Sequence, residues 1–447
     1  MTTALVWLRD DLRVADNPAL TAALKTAERV AVLYVLDDES PEIRPLGAAS
    51  KWWLHHSLRA LSRAISERGG QLILRRGPAR RVVAEVVAEI GATSVHWSRR
   101  FGAARAIDSD LKATLPDAHS HNGTLLHEPW SLQTGGGTPF KVFTPFWKAY
   151  RAGDPPRDPF PAPDAIPGVE APSDSLESWD LLPSIPWDHE FPDTWSPGEA
   201  GGQARLDRFV AHGLALYHRR DEPGVEATSG LSPHLRFGEI SPYQVWHGIE
   251  AATTAENHAN ATRFLSEIGW REFSYHQLFH NTDIHERNLR SEFDGFPWSP
   301  PDPAILGAWR RGTTGISLVD AGMRELWRTG TMHNRVRMVA ASFLIKNIGI
   351  DWRIGEAWFW DTLVDADEVS NPASWQWVAG SGYDAAPYFR VFNPELQAAK
   401  FDPDATYRLR WVPEFGTPVY PEPVISLSDS RARALADYTT MRGERQP

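Results

Sequence analysis

Cysteine is absent from all 447 residues. That excludes disulfide staples, iron–sulfur clusters and thiolate-bound zinc, and it fits a reducing cytoplasm. No apolar run is long enough to span a membrane. Arg9, Asp10 and Asp11 interrupt the first residues, so no secretion leader is expected there. Cations are in deficit: 46 Lys and Arg against 57 Asp and Glu leave a net charge of −11. Taken alone, that speaks against a nucleic-acid partner, whose phosphates need local positive charge. A basic patch on an acidic body remains open, so the question becomes where the arginines lie. There is no Walker-type phosphate loop, no G-x-S-x-G elbow, no internal repeat and no low-complexity tail. What is plentiful is tryptophan, with 20 residues. Core filling accounts for most of them.

The first part of the chain alternates strand and helix patterns. Ala4 to Leu8, Val30 to Leu36, Gln71 to Leu74 and Thr93 to Trp97 read as strands. Asn17 to Ala27, Lys51 to Arg68 and Ala79 to Ile90 read as helices between them. Such alternation predicts a Rossmann-like α/β domain with a parallel sheet, taken as residues 1–128. A connector, 129–200, is crowded with proline from Pro155 onward and is expected to lie over the surface. Residues 201–447 are expected to form an all-α domain, with helices over Arg205 to Tyr217, Pro242 to Ala251, His258 to His280, Gly315 to Arg328 and Asn334 to Ile348.

Several constellations in this half could carry chemistry. Thr228-Ser-Gly-Leu-Ser-Pro233 offers hydroxyls and free amides at a helix start, which suits an anion and equally suits a pair of N-caps. Glu267, Trp270 and Arg271 stand three and four apart and should share a helix face. Met332-His-Asn-Arg-Val-Arg-Met338 opens a helix that runs into an apolar stretch, so its arginines need anionic partners; Asp365 and Asp367 are candidates. Asp365-Ala-Asp-Glu-Val-Ser-Asn-Pro-Ala-Ser-Trp-Gln-Trp377 is the densest mixture of acidic, amide and indole groups, with Tyr388-Phe-Arg390 shortly after it.

These blocks, with Trp7-Leu-Arg-Asp-Asp-Leu-Arg13, Phe143-Thr-Pro-Phe146, Trp270-Arg-Glu-Phe273, Met332-His-Asn-Arg335 and Trp375-Gln-Trp377, resemble the DNA photolyase/cryptochrome family, in its microbial cyclobutane-dimer variant. The resemblance implies that the helical domain binds FAD and, with light, splits pyrimidine dimers in ultraviolet-damaged DNA by electron transfer from the reduced cofactor. It assigns FAD contacts to Tyr217, Thr228, Ser229, Leu231, Ser232, Arg271, Arg337, Asp365, Asp367 and Asn371, with Asn371 facing the flavin's central nitrogen. It assigns the lesion pocket to Glu267, Trp270, Asn334, Met338 and Trp377, and the DNA surface to Arg335 and Arg390 together with Trp270 and Trp377. Trp375, Trp352 and Trp298 would relay electrons from the surface to the flavin.

The chain departs from the family pattern at Gly230, where many relatives have Arg, and at Thr331, where Trp is common. The segment Arg99 to Arg105 is short and lacks the glutamate that holds a folate antenna. A second chromophore is therefore expected as a deazaflavin sooner than methenyltetrahydrofolate. A cytoplasmic monomer without a metal is expected. The competing readings are a light-sensing cryptochrome without repair and a flavin electron-transfer protein without a DNA role.

Overall fold

A computed structural model describes residues 1–385 and 389–443. Its first layer is a five-stranded parallel sheet of β1 (Thr3–Leu8), β2 (Arg29–Leu36), β3 (Leu72–Arg76), β4 (Ser94–Ser98) and β5 (Ala118–His121), in the order β3-β2-β1-β4-β5. Every residue of β1 is buried, as a strand covered on both faces requires. Helices Pro18–Thr26, Ala48–Ser66, Ala79–Ile90 and Arg105–Thr114 cover the sheet. The edge strand β5 and the helix before it escaped the sequence reading. Ala-His-Ser-His carries no apolar run, and an edge strand needs none.

The charged turn after β1 joins the two halves of the molecule. Asn17 caps the first helix, accepting from Leu20 N at 3.0 Å. Buried Arg13 donates to the carbonyls of Gly123 at 2.6 Å and Gly238 at 2.9 Å, and Leu12 N donates to Phe237 O at 3.0 Å. The Pro-rich connector is less superficial than expected. Gly168 bridges to Val30 beside the sheet, and Ile166, Trp179, Phe191 and Trp195 enter the first apolar core. Proline denies this segment regular structure without preventing burial of the aromatics between the prolines.

Helix dominates the remainder. The helix expected from Arg205 starts at Glu199 and opens into a π turn at Phe209–Gly213. The one expected to reach Ile348 is regular over Asn334–Ser342 and π-helical over Phe343–Ile348. Helices Pro242–Ala251 and His258–His280 match expectation. The site is carried by His258–His280, Asn334–Ser342, Trp352–Thr362 and Ser370–Ala379, the last of which packs against the other three. Among the described residues no helix is long and apolar enough to cross a membrane.

Candidate functional site

Arg337 and Asp365 meet fork on fork, Nη1 to Oδ1 at 3.1 Å and Nη2 to Oδ2 at 3.0 Å. Ser232 Oγ donates to the same Oδ2 at 2.6 Å, tying the 228–232 loop to the pair. Thr331 finds use here, its hydroxyl accepting from Arg337 Nη2 at 3.2 Å. Asp367 is not an alternative partner for these arginines. It accepts from Tyr275 Oη at 2.8 Å and from the amides of Val369 and Ser370 at 3.0 and 2.7 Å. Burial pushes its carboxyl up, but Arg236, the Ser370 amide, Arg271 and Tyr275 together hold it below the ordinary value. Arg335 takes a partner that sequence reasoning missed, Asp221 at 2.9 Å.

The helix His258–His280 does not keep Arg271 beside Glu267. Arg271 turns to Thr124 O at 2.8 Å and lies over the Tyr275 ring at 4.9 Å, whereas Glu267 meets Arg263 at 3.0 Å and Arg220 at 4.0 Å. A spacing of four brings Cβ atoms together, but long side chains then choose their own partners. Glu267 is about one-third exposed, with its side chain at 36%. Burial pushes its carboxyl up against the pull of Arg263 and Arg220. Trp270 has one face covered by Phe143, stacked at 3.9 Å and 11°, which fixes the plane of its ring. Asn334 is exposed, and its amide makes no hydrogen bond among the described residues. Met338 and Trp377 are half-buried against one apolar cluster. Arg390 is exposed over Phe392 at 4.5 Å with no carboxylate partner among the described residues. Its neighbour Tyr388 lies outside them.

On the helix Ser370–Ala379, Asn371 and Trp375 are buried and Trp377 is half-buried. Trp375 meets Phe359 edge-on at 4.9 Å and Trp309 at 6.5 Å. Gly355 makes room for it, since a Cβ there would stand 2.2 Å from the indole. Trp352 is fully buried with Nε1 donating to Asn288 at 2.9 Å, and half-buried Trp298 rests on Phe296 at 4.4 Å. Both belong to, or pack against, the cluster that holds Trp375.

The donors and acceptors suit FAD. Thr228 is exposed with its hydroxyl unpartnered, Ser229 Oγ accepts from Leu231 N at 3.3 Å, and Asn371 Oδ1 receives no hydrogen bond within the described residues. Gly230 sits at φ +64°, and Arg205 Nη1 stands 3.1 Å from the point where its Cβ would be, so the Arg205 guanidinium lies against the residue where many relatives have arginine. Tyr217 packs under Phe264 at 5.3 Å beside this loop. These residues could hold phosphates at one end and a hydrogen-bonding ring at the other.

A second cavity lies at the carboxyl ends of β1 and β4, where the strand order reverses, the usual ligand position in open α/β sheets. Arg9, Arg100, Arg236, Arg271, Thr124 and Glu368 line it, so Arg271, expected at the flavin, faces this cavity instead. Arg9 Nε and Nη1 and the Thr124 hydroxyl are buried without partners. Burial, then Asp10 and Asp367, push the Glu368 carboxyl up to about 7.

Residues 4–164 match the family model described as DNA photolyase, and residues 264–418 match the FAD binding domain of DNA photolyase. The chain is 46% identical to the deoxyribodipyrimidine photo-lyase of Agrobacterium fabrum, covering 98% of each chain, and 34% identical to that of Escherichia coli, covering 99% of each. It is 35% identical to cryptochrome-1 of Arabidopsis thaliana, but over 92% of this chain and only 63% of the plant protein. Among solved structures, a bacterial class III photolyase from Agrobacterium tumefaciens superposes with TM-score 0.94 at 44% identity, covering 99% of this chain and 98% of that one. A cryptochrome from Synechocystis superposes with TM-score 0.87 at 28% identity, covering 98% and 99%. A fold, a donor set and a full-length likeness that agree at every level place this chain in the DNA photolyase family, with an FAD-binding domain of the photolyase kind.

Proposed function

We propose that this protein repairs cyclobutane pyrimidine dimers in DNA in a light-dependent reaction, acting as a monomer on the lesion strand. The observation that carries the reading is the placement of Glu267, Trp270, Asn334, Met338 and Trp377. All five are at least partly exposed, on His258–His280, Asn334–Ser342 and Ser370–Ala379, and the last helix packs against the other two and carries buried Asn371 and Trp375. Reduced FAD, when bound, supplies on excitation the electron that opens the dimer. The chain's own residues do the rest. Thr228, Ser229, Leu231, Ser232, Tyr217 and Asp367 would hold the cofactor, with the Arg337–Asp365 pair among its polar contacts, whereas Arg271 turns to Thr124 and away from that set. Trp270, stiffened by Phe143, and Trp377 flank the extruded lesion with apolar faces. A damaged, poorly stacked base step costs less to flip than an intact one, which gives selectivity. Glu267 and Asn334 aim hydrogen bonds at the lesion carbonyls, where charge develops.

Binding tests the reading directly. A dimer-containing duplex should bind more tightly in the dark than the undamaged duplex. Removing one phosphate contact lowers the salt slope by about 0.9. Arg390→Ala is expected to show nearly that full change, because its guanidinium has no carboxylate partner among the described residues. Arg335→Ala should show a smaller one, since Asp221 at 2.9 Å already neutralises it in the free protein. Equal affinity for damaged and undamaged DNA, or an unchanged slope in Arg390→Ala, would count against this face.

Glu267 gives a pH signature. Its raised carboxyl keeps a proton, and so a donor, to higher pH than an ordinary glutamate. Splitting efficiency should therefore be full below that pKa and decline as pH rises through it. Glu267→Gln keeps a donor at every pH, so its profile should be flat over the same range. Parallel profiles for the two proteins would remove Glu267 from the donor role.

The family also implies a light-harvesting chromophore in the α/β half, and the short segment Arg99 to Arg105, without the folate-holding glutamate, favours a deazaflavin there. Extraction from protein made in a deazaflavin-producing host distinguishes deazaflavin, folate and no chromophore.

A further inference from the structure

Arg44 lies between β2 and the helix Ala48–Ser66, in the α/β half of the chain. Its guanidinium crosses to the helical half and grips Glu356 with both arms, Nη1 to Oε1 at 2.7 Å and Nη2 to Oε2 at 2.9 Å. The Glu356 side chain is 3% exposed. Asn371 Nδ2 donates to the same Oε1 at 2.8 Å and to the Glu356 carbonyl at 3.1 Å. Both amide hydrogens of Asn371 are thus directed at one residue, and Oδ1 is turned away from it. The grip is well supported. Arg44 lies over the Trp360 ring at 4.1 Å, Trp360 Nε1 donates to Pro45 O at 2.9 Å, and Ala48 N donates to Asp361 Oδ1 at 2.9 Å.

An asparagine amide has two orientations, differing by a half-turn that exchanges its carbonyl for its NH2. A carboxylate can only accept, so it selects the orientation that presents NH2 to it. A buried carboxylate keeps its charge only with a cation beside it, and Arg44 is that cation. We propose that Arg44 is a positioning residue for the flavin: through Glu356 it fixes the Asn371 amide and thereby sets the reduction potential of bound FAD. This rests on the placement of Asn371 against the flavin's central nitrogen. That nitrogen carries a hydrogen only in the reduced ring. A carbonyl oxygen facing it favours the reduced form, and an NH2 group facing it favours the oxidised form. The α/β half therefore reaches the redox centre through three side chains.

The test is spectroelectrochemical titration of the full-length, FAD-loaded protein. Losing one net hydrogen bond to the reduced form changes the ratio of the two forms by about tenfold, which for a two-electron couple is about 30 mV. Arg44→Gln should lower the potential by that amount. Asp361→Ala, which cuts only the neighbouring tie at Ala48, should leave it unchanged. If Arg44→Gln does not fold, Arg44→Met carries the test. It keeps the stem over Trp360 and removes the cation beside Glu356, so a lowered potential supports the proposal and the wild-type value overturns it. An equal fall in Asp361→Ala also overturns it, because loosening of the segment would then explain the effect. Asn371→Ala separates the two levels. If it shifts the potential while Arg44→Gln does not, the role of Arg44 is wrong and the placement of Asn371 stands. If neither shifts it, the placement itself falls.

Discussion

Trp375→Phe is expected to bind FAD as the native protein does and yet to lose most photoreduction of the oxidised cofactor by an external donor. The substitution keeps an apolar ring in a pocket bounded by Phe359 and Gly355, but removes the readily oxidised indole. A smaller ring in a buried site costs about 1–3 kcal/mol of stability, which a protein of this size tolerates. Electron supply needs indoles close to one another and an outlet toward solvent. Trp375 is 2% exposed and Trp352 is sealed, whereas Trp298 is only half-buried, as an outlet requires. The nearest indole to Trp375 is Trp309, centroids 6.5 Å apart, which the sequence reading did not include. Chemically reduced Trp375→Phe should still split dimers, because the relay only prepares the cofactor. Photoreduction at the native rate would remove Trp375 from the relay. Loss of splitting by the pre-reduced variant would move it into the lesion site.

The second large effect is expected from Asp365→Ala. Removing one partner of a buried ion pair typically costs 3–5 kcal/mol. The low end, about 3 kcal/mol, applies here, because the Arg337 side chain remains 25% exposed while that of Asp365 is 5% exposed. Ser232 loses its acceptor at the same time, and with it the loop that we assign to the cofactor. Expressed in cofactor affinity, about 3 kcal/mol is roughly a hundredfold in Kd. The variant should lose FAD on dialysis, measured by released flavin fluorescence. Thermal unfolding of the apoprotein separates the part of the cost borne by the fold. Undiminished FAD retention with an unchanged apoprotein Tm would show that the pair supports neither.

Much of this was legible in the sequence because the local signals were strong. Continuous apolar runs such as Ala4–Leu8 and an Asn-Pro helix start specify buried parallel strands and their crossover helices. The need of a buried guanidinium for an anion pointed to Asp365 and Asp367 as candidates, and Arg337 pairs with the first of them. What escaped were long-range partnerships that spacing does not encode. Asp221 under Arg335, Arg44 on Glu356 and Trp309 beside Trp375 are neighbours only in the folded chain. Arg271 stays on the face that its position suggested but turns one turn onward, to Tyr275 and Thr124 O, and so away from Glu267. The net charge of −11 left the question of a partner open for a similar reason: it sums over the whole surface, whereas exposed Arg390 is a local feature.

Light-driven repair is the central claim, and one measurement addresses it. Chemically reduced, FAD-loaded protein is mixed with a thymine-dimer oligonucleotide and divided between blue light and darkness, and dimer content is followed by chromatography. Conversion of the dimer to two intact thymines in the illuminated sample, and none in the dark one, is the predicted result. Dimers that persist through illumination, although the protein binds them and its flavin is reduced, would contradict the account.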